Sequence, residues 1–262
     1  MQTNRIDHGK PFDWGRTSSL YAQYRDLYPQ AFYEKLVELG VGLPGQNILD
    51  LGTGTGVLPR NMARFAGDWV GTDSSPAQIA QAKQLAQQQG LSIPFFCLSA
   101  EETKFPPRSF DVITACQCFH YFDHQKLAPK VFQMLKPGGR MAVLYLNWLP
   151  YEDEIAQKTE ELVLKYNPQW TGGGETRHPL TIPEAYSLYF EAEPQILFDL
   201  PVPFTRESWA GRILACRGIG ASLSPEEIRA FDREHRLLLE QIAPERFTVL
   251  HLAVMACLKK KG

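Results

Sequence analysis

The chain has 262 residues, 44% of them hydrophobic, and its 27 Lys and Arg against 29 Asp and Glu give a formal net charge of -2. That much apolar material can bury a sizeable core, so disorder is not the default. With no block of like charge besides Lys259–Lys261, which reads as a solvated tail, neither nucleic acid nor an anionic membrane is expected as the main partner.

The opening MQTNRIDHGKPFDWGR lacks the apolar centre of a signal peptide, and the longest apolar run, Met141–Leu146, is too short to cross a bilayer. A soluble, cytoplasmic protein is expected. Five scattered cysteines (Cys97, Cys116, Cys118, Cys216, Cys257), mostly inside apolar segments, fit reduced thiols better than a disulfide framework.

Phe32, Leu36 and Leu39 form the stripe of a helix before residue 40. Asn47–Leu51 reads as a first strand, followed by helical spacing of Leu58, Met62 and Phe65, with Pro59 tolerated in the first turn. Trp69–Thr72 makes a second strand. The next helix is bounded by Ser75 as cap, Pro76 at the first helical position, Gln78 completing a capping box and Gly90 past the end. Phe95–Leu98 and Phe110–Ala115 are the third and fourth strands, and Leu127, Val131, Met134 and Leu135 stripe the helix between the fourth and fifth. LKPGGR suits a tight turn with Gly138 free to take positive φ, and Arg140–Leu146 is the fifth strand.

Beyond residue 148 the texture changes. Tyr151–Tyr166 is an amphipathic helix, PQWTGGGETRHP a flexible loop, Gln195–Phe204 a strand, Ser224–Ala243 a helix with a second capping box (Ser224, Glu227), and Phe247–Leu258 a last strand. Alternating short strands and helices over residues 47–148 give an α/β class with a parallel sheet.

NILDLGTGTGVLP joins a strand to a helix through Gly52, Gly54 and Gly56. Backbone N–H groups and the helix dipole meet a ligand at such a turn, and a Cβ at any of the three would intrude on it. Dinucleotide enzymes space the glycines G-x-G-x-x-G, whereas here Val57 stands where the third would be. Asp73, ending the second strand, can accept hydrogen bonds from both hydroxyls of a ribose. The pattern points to a nucleoside ligand.

ILDLGTGTG with VGTDSS, then LSAEETKFPPRSFDVITACQCFHYFD, then LKPGGRMAVLY, resembles the class I methyltransferases that use S-adenosylmethionine, over roughly residues 45–146. CFHYFD and KPGG are similar to the small-molecule branch with ubiquinone/menaquinone-type and trans-aconitate-type enzymes. The resemblance implies a Rossmann-like, seven-stranded, mostly parallel sheet with helices on both faces and the last strand antiparallel. It implies one domain over 1–262: lid helices in 1–44, a cofactor-binding core in 45–148, a helical insertion roofing the acceptor site in 149–194, and completing strands and helices in 195–262.

By the same resemblance, Asp50 and Gly52 sit by the methionine end of S-adenosylmethionine, Gly54 and Gly56 along its back, and Asp73 on the ribose, with Thr53 also a cofactor-binding residue. Ser74 neighbours the adenine, Ala100 and Glu101 its edge, and Gln117 the methionine end. SLYAQYRDLYP resembles the lid helix, with Tyr21, Tyr24 and Arg25 facing the cofactor, although packing of Leu20, Tyr24 and Leu27 on one face explains the tyrosines equally.

Methyl transfer from a sulfonium is a direct displacement that rests mainly on alignment. Trp14, Tyr21 and Trp148 are candidates to face the sulfonium, with core packing the alternative for each. His120, just past the fourth strand, is the candidate base if the acceptor is a hydroxyl. Trp148, His178, Arg212 and Arg217, with Arg206, are candidates to bind a small, anionic acceptor. Cys116, Cys118 and His120 would share one face of an extended strand with no second ligand pair, so no metal is expected. The rival readings are a catalytically silent S-adenosylmethionine-binding or regulatory protein and, failing on glycine spacing, an NAD-type oxidoreductase. Nothing in the sequence fixes the acceptor, the atom methylated or the oligomeric state.

Overall fold

The computed structural model describes residues 3–25 and 28–262; Leu27, invoked above for the helical face of Tyr24, lies outside them. The helices are α1 (Ser18–Tyr24), α2 (Gln30–Glu38), α3 (Val57–Met62), α4 (Pro76–Gln88), α5 (His124–Met134), α6 (Glu154–Tyr166), α7 (Arg206–Leu214) and α8 (Pro225–Ile242). The strands are β1 (Asn47–Leu51), β2 (Asp68–Asp73), β3 (Phe95–Cys97), β4 (Phe110–Cys116), β5 (Leu135–Trp148), β6 (Phe190–Ala192), β7 (Ile196–Thr205) and β8 (Arg246–Lys260).

The strands form one sheet in the order β3-β2-β1-β4-β5-β8-β6, with β7 paired to β8. Pairing is parallel from β3 through β5 and antiparallel between β6 and β8. This is the Rossmann-like, mostly parallel architecture expected, with the three-residue β6 as one strand more than anticipated.

The chain divides into two compact units. One comprises residues 28–145, 179–198 and 253–262; the other comprises residues 146–178 and 199–252 with the described N-terminal residues. In the first, Leu49, Leu51, Ile113, Val131, Met141 and Val143 are buried together. β1 and β4 are buried along most of their length, without the alternation of a half-exposed strand. α4 starts at the expected residue, with Pro76 first and Ser75 Oγ accepting from Gln78 N at 3.4 Å, but Gln78 does not complete the expected capping box. The Gln78 side chain lies toward the glycine turn, its Oε1 being 3.9 Å from where a Cβ on Gly54 would stand.

Three expectations for this unit are corrected. LKPGGR does not stand before the fifth strand but inside it: the register steps from Phe110↔Leu135 to Val112↔Arg140, so residues 136–139 form a bulge. Gly138 takes φ +75° there, and Lys136 Nζ closes the bulge on Asp111 Oδ2 at 2.7 Å. Cys116, Cys118 and His120 do not share a strand face, because Gln117 adopts φ +65° and ends the alternation. Finally, the closing lysines are no solvated tail. Lys259 and Lys260 pair with β6, and Lys260 Nζ donates to Phe132 O and Leu135 O, carbonyls orphaned at the end of α5.

The second unit is built on Trp148, Trp170, Trp209 and Phe231. PQWTGGGETRHP is irregular, as expected, but packed. Side chains on Gly172 or Gly173 would collide with the Trp170 ring, and Gly174 N donates to Glu160 Oε2 at 2.7 Å. Glycine is needed there to let the backbone cross an indole. α7, which the sequence reading did not predict, starts from a capping box at Thr205 and Ser208.

Candidate active site

The C-terminal ends of β1, β2 and β4 lie side by side, since Leu51 pairs with both Thr72 and Ala115. The strand order reverses direction between β1 and β4, the topological switch point where open α/β sheets bind ligands. The segments leaving these ends, Gly52–Gly56, Asp73–Ser75 and Gln117–Tyr121, therefore share one edge. Asp73 pairs in turn with Cys97, which brings Leu98–Glu101 to the same edge.

All three motif glycines take left-handed φ values, +63° at Gly52, +57° at Gly54 and +74° at Gly56. Their surroundings differ. A Cβ on Gly52 would stand 2.7 Å from Cys118 Sγ, and one on Gly56 would stand 2.7 Å from Phe95 Cζ. These two are required by the protein's own packing, which corrects the expectation that a ligand demands all three. Only at Gly54 would a Cβ meet no clash, its nearest neighbour being Gln78 Oε1 at 3.9 Å.

The loop amides also differ from expectation. Thr53 N donates to Thr72 O, Gly54 N to Asp73 Oδ2 and Gly56 N to Thr53 O, each at 2.9 Å. The turn thus offers a ligand bare Cα surface more than N–H donors. Asp73 holds the turn from outside: Oδ2 takes Gly54 N and Oδ1 takes Ser75 N at 2.8 Å. Each carboxylate oxygen keeps a further lone pair, enough for two hydroxyls. Burial raises the Asp73 pKa, against the pull of those two amide bonds.

Asp50 is fully buried at the end of β1, with Thr114 Oγ1 donating to its Oδ1 at 2.6 Å. Burial lifts its pKa to about 7, opposed by hydrogen bonds from Thr114 and Thr53 and abetted by the charge of Asp73. Two carboxyls in one low-dielectric corner favour a cation beside them. Gln117 is one of four non-glycine residues with positive φ among those described, a conformation that costs an L-residue about 1–2 kcal/mol. Its amide is held by Leu144 O at 2.9 Å.

Ser74 is exposed beside Asp73, and Ala100 is buried. Glu101 is turned toward α5, where its Oε1 accepts from Asp123 N at 2.7 Å. His120 is exposed in a single turn, Phe119–Tyr121, with its backbone N–H and its Nδ1 both on the Tyr145 hydroxyl, at 3.1 and 2.6 Å. Cys116 Sγ faces Tyr28 Oη, and Cys118 Sγ faces Leu51 O.

A family described as a methyltransferase domain matches residues 48–139. The ubiquinone biosynthesis O-methyltransferase of Cereibacter sphaeroides is 30% identical over 195 residues, covering 72% of this chain and 78% of that protein. The chain belongs to the class I S-adenosylmethionine-dependent methyltransferases. Within them it falls in the small-molecule branch, and its cofactor is S-adenosylmethionine. The fold of this methyltransferase is also that of the YcgJ protein from Bacillus subtilis, with TM-score 0.54 and 18% identity over 89% of this chain and 100% of that one. It is likewise that of Haemonchus contortus phosphoethanolamine N-methyltransferase 2, solved with phosphomonomethylethanolamine and S-adenosylhomocysteine. There the TM-score is 0.56 at 18% identity, over 100% of this chain and 59% of the other. No helix among the described residues of the methyltransferase is long and apolar enough to cross a membrane.

The other expected site residues belong to the second unit. Tyr21 carries the Arg25 guanidinium over its ring at 4.2 Å and has Trp14 at its edge. The Tyr24 hydroxyl reaches Glu207 Oε1, and its ring leaves no room for a side chain at Gly211. Trp148 is a core residue, donating to Glu160 Oε1 and packed on Trp209. Arg212 lies over the Trp148 ring, His178 pairs with Glu175, and Arg206 caps Ala243 O. Arg217 is bound to buried Asp7 at 2.8 Å, which takes its charge. Sequence reasoning missed Thr114, Phe95 and Tyr145. The last carried a signal, a phenol near the end of an apolar strand run.

Proposed function

We propose that the first unit binds S-adenosylmethionine across the ends of β1, β2 and β4 and passes its methyl group to an oxygen of a small molecule. The reading rests on Asp73, whose carboxylate braces the glycine turn and retains acceptor capacity for a ribose diol, beside Gly54, where a Cβ would meet no clash. The residues suit the cofactor: buried Asp50 favours its cationic amino end, Gln117 follows β4 at the same edge, and Ser74 stands exposed beside Asp73. When bound, the cofactor supplies a methyl group on a sulfonium, displaced with loss of positive charge. The chain's own contribution is to hold and align, which is worth about 7–11 kcal/mol when geometry is right. Oxygen as the methylated atom is supported by the O-methyltransferase name of the Cereibacter sphaeroides relative, and a hydroxyl or a carboxylate are the two classes in view.

The test is thermal unfolding with ligand. S-adenosylhomocysteine at 100 times its dissociation constant should add about 2.7 kcal/mol of stability, whereas NAD should leave the midpoint unmoved. Asp73→Ala should remain folded and lose the shift; an unchanged shift would mean that the ribose lies elsewhere. A silent binder would show the shift yet label no compound when labelled donor is supplied with a metabolite extract.

A further inference from the structure

We propose that Asp50 selects the methyl donor over the spent cofactor by means of a proton: it is neutral in the free chain, ionises when the donor's sulfonium arrives, and recovers a proton once methyl transfer removes that positive charge. The inference rests on the methyl-transfer reading above and names what tells donor from product at that site.

Strand register sets the cluster. Asp50 pairs with Thr114 on β4 and with Gly71 on β2. Side chains alternate along a strand, so Asp73, two residues past Gly71, stands on the same face of the sheet as Asp50 and Thr114. Gly71 has no side chain, and Thr53 fills the gap, its Cγ2 lying 2.9 Å from where a Cβ would be. Asp50 is 1% exposed, lies among two hydroxyls and a second carboxyl, and pairs with no cation among the described residues. A buried carboxylate without a counter-ion is costly, and such a group keeps its proton instead.

Thr114 serves either state. Its Oγ1 lies 2.6 Å from Asp50 Oδ1 and 3.4 Å from Leu49 O. With Asp50 ionised, the hydroxyl donates to Oδ1. With Asp50 protonated, the carboxyl donates to Oγ1 and the hydroxyl turns its own proton to Leu49 O. Neither state strands the pair, so nearby charge decides between them. Burial lifts the Asp50 pKa to about 7, with Asp73 adding to the rise. The other titratable groups facing this corner are the Cys118 thiol, itself pushed up by burial and by Asp50, and the Cys116 thiol with the Tyr28 phenol against it. None of them supplies positive charge.

The donor carries a sulfonium, an ammonium and a carboxylate; S-adenosylhomocysteine carries only the last two. The extra positive charge favours ionised Asp50, whose proton leaves to solvent. Methyl transfer breaks the C–S bond with its electron pair left on sulfur, the charge vanishes, and Asp50 takes a proton back from solvent. Binding that releases a proton strengthens as pH rises toward the free-state pKa, so the donor gains on the product from about pH 5.5 to about pH 7.

Titration calorimetry on the full chain without acceptor, at about pH 6 in two buffers of different ionisation enthalpy, counts the protons released per ligand bound. At that pH the ammonium and carboxylate of both ligands hold their charges, so the two differ in the sulfonium alone. S-adenosylmethionine should release about half a proton or more beyond S-adenosylhomocysteine, and its affinity relative to the product should rise several-fold up to about pH 7. Asp50→Asn, uncharged and of the same shape, should abolish the excess release and flatten the ratio. Thr114→Val, which lacks the hydroxyl that donates to the ionised state, should keep the excess and move its midpoint to higher pH. Equal release by both ligands in wild type, an excess that survives in Asp50→Asn and so belongs to another group, or a midpoint unmoved in Thr114→Val overturns the proposal. Failure of both ligands to bind wild type would instead remove the cofactor reading, a separate failure.

Discussion

Among individual residues, the three motif glycines look equivalent in sequence and are not equivalent in structure. Gly56 is closed by Phe95 and Gly52 by Cys118, while at Gly54 a Cβ would make only an ordinary contact with Gln78 Oε1. Gly56→Ala should therefore lose more stability than Gly54→Ala, because it adds a clash of about 1–3 kcal/mol to the strain of positive φ. Gly54→Ala should bear the strain alone, about 1–2 kcal/mol, yet abolish the thermal shift by S-adenosylhomocysteine. Urea unfolding of both variants, with and without that ligand, checks the ordering; equal stability losses would mean that Phe95 yields without cost. Asp73 was legible because a carboxylate at a strand end is a local signal, and Asp50 only through the resemblance of its motif to a family. That Asp50 is held by Thr114, 64 positions away, was not, since only strand pairing brings them together.

Among elements, helix starts were the most legible feature because a cap is a local hydrogen bond between neighbours in sequence. α4 and α8 begin one residue after Ser75 and Ser224, as their sequences indicate. The cap of α6 does more than sequence conveys: Asp153 Oδ1 accepts from Ala156 N at 3.0 Å, and its Oδ2 accepts from Leu250 N on β8 at 2.8 Å. Ser224→Ala should cost about 1 kcal/mol, the ordinary value of a cap. Asp153→Ala should cost roughly twice that, since it also leaves a β8 amide without its partner. Denaturant unfolding compares them, and equal losses would remove the second role. α7 and β6 were not legible: α7 begins at a Thr–Ser box rather than the Ser–Glu pattern, and β6 has only three residues, too few to display a period.

At the level of the whole molecule, Arg217 changed most between sequence and structure. An arginine in a loop-rich segment suggests anion binding, but Asp7, 210 positions away in the chain and fully buried, faces it, with Thr171 N and Oγ1 also on the Asp7 carboxylate. Arg217→Ala strands a buried charge and should cost about 3–5 kcal/mol, whereas replacing both partners with apolar residues should cost far less. A double-mutant cycle read by urea unfolding tests this; a small loss for the single change would show that Asp7 reaches water. The sequence by itself determined the α/β class, the parallel core, the starts of α4 and α8 and a nucleoside ligand, because periodicity, caps and the glycine–aspartate spacing are properties of neighbours along the chain; the cofactor itself came from the resemblance of its motifs to a family. Only the tertiary structure decided which glycine has room for a Cβ, that the loop amides bind within the fold, that Arg217 is neutralised by Asp7 and that Tyr145 holds His120. Each of these depends on groups far apart in sequence, whose meeting is set by strand register and packing.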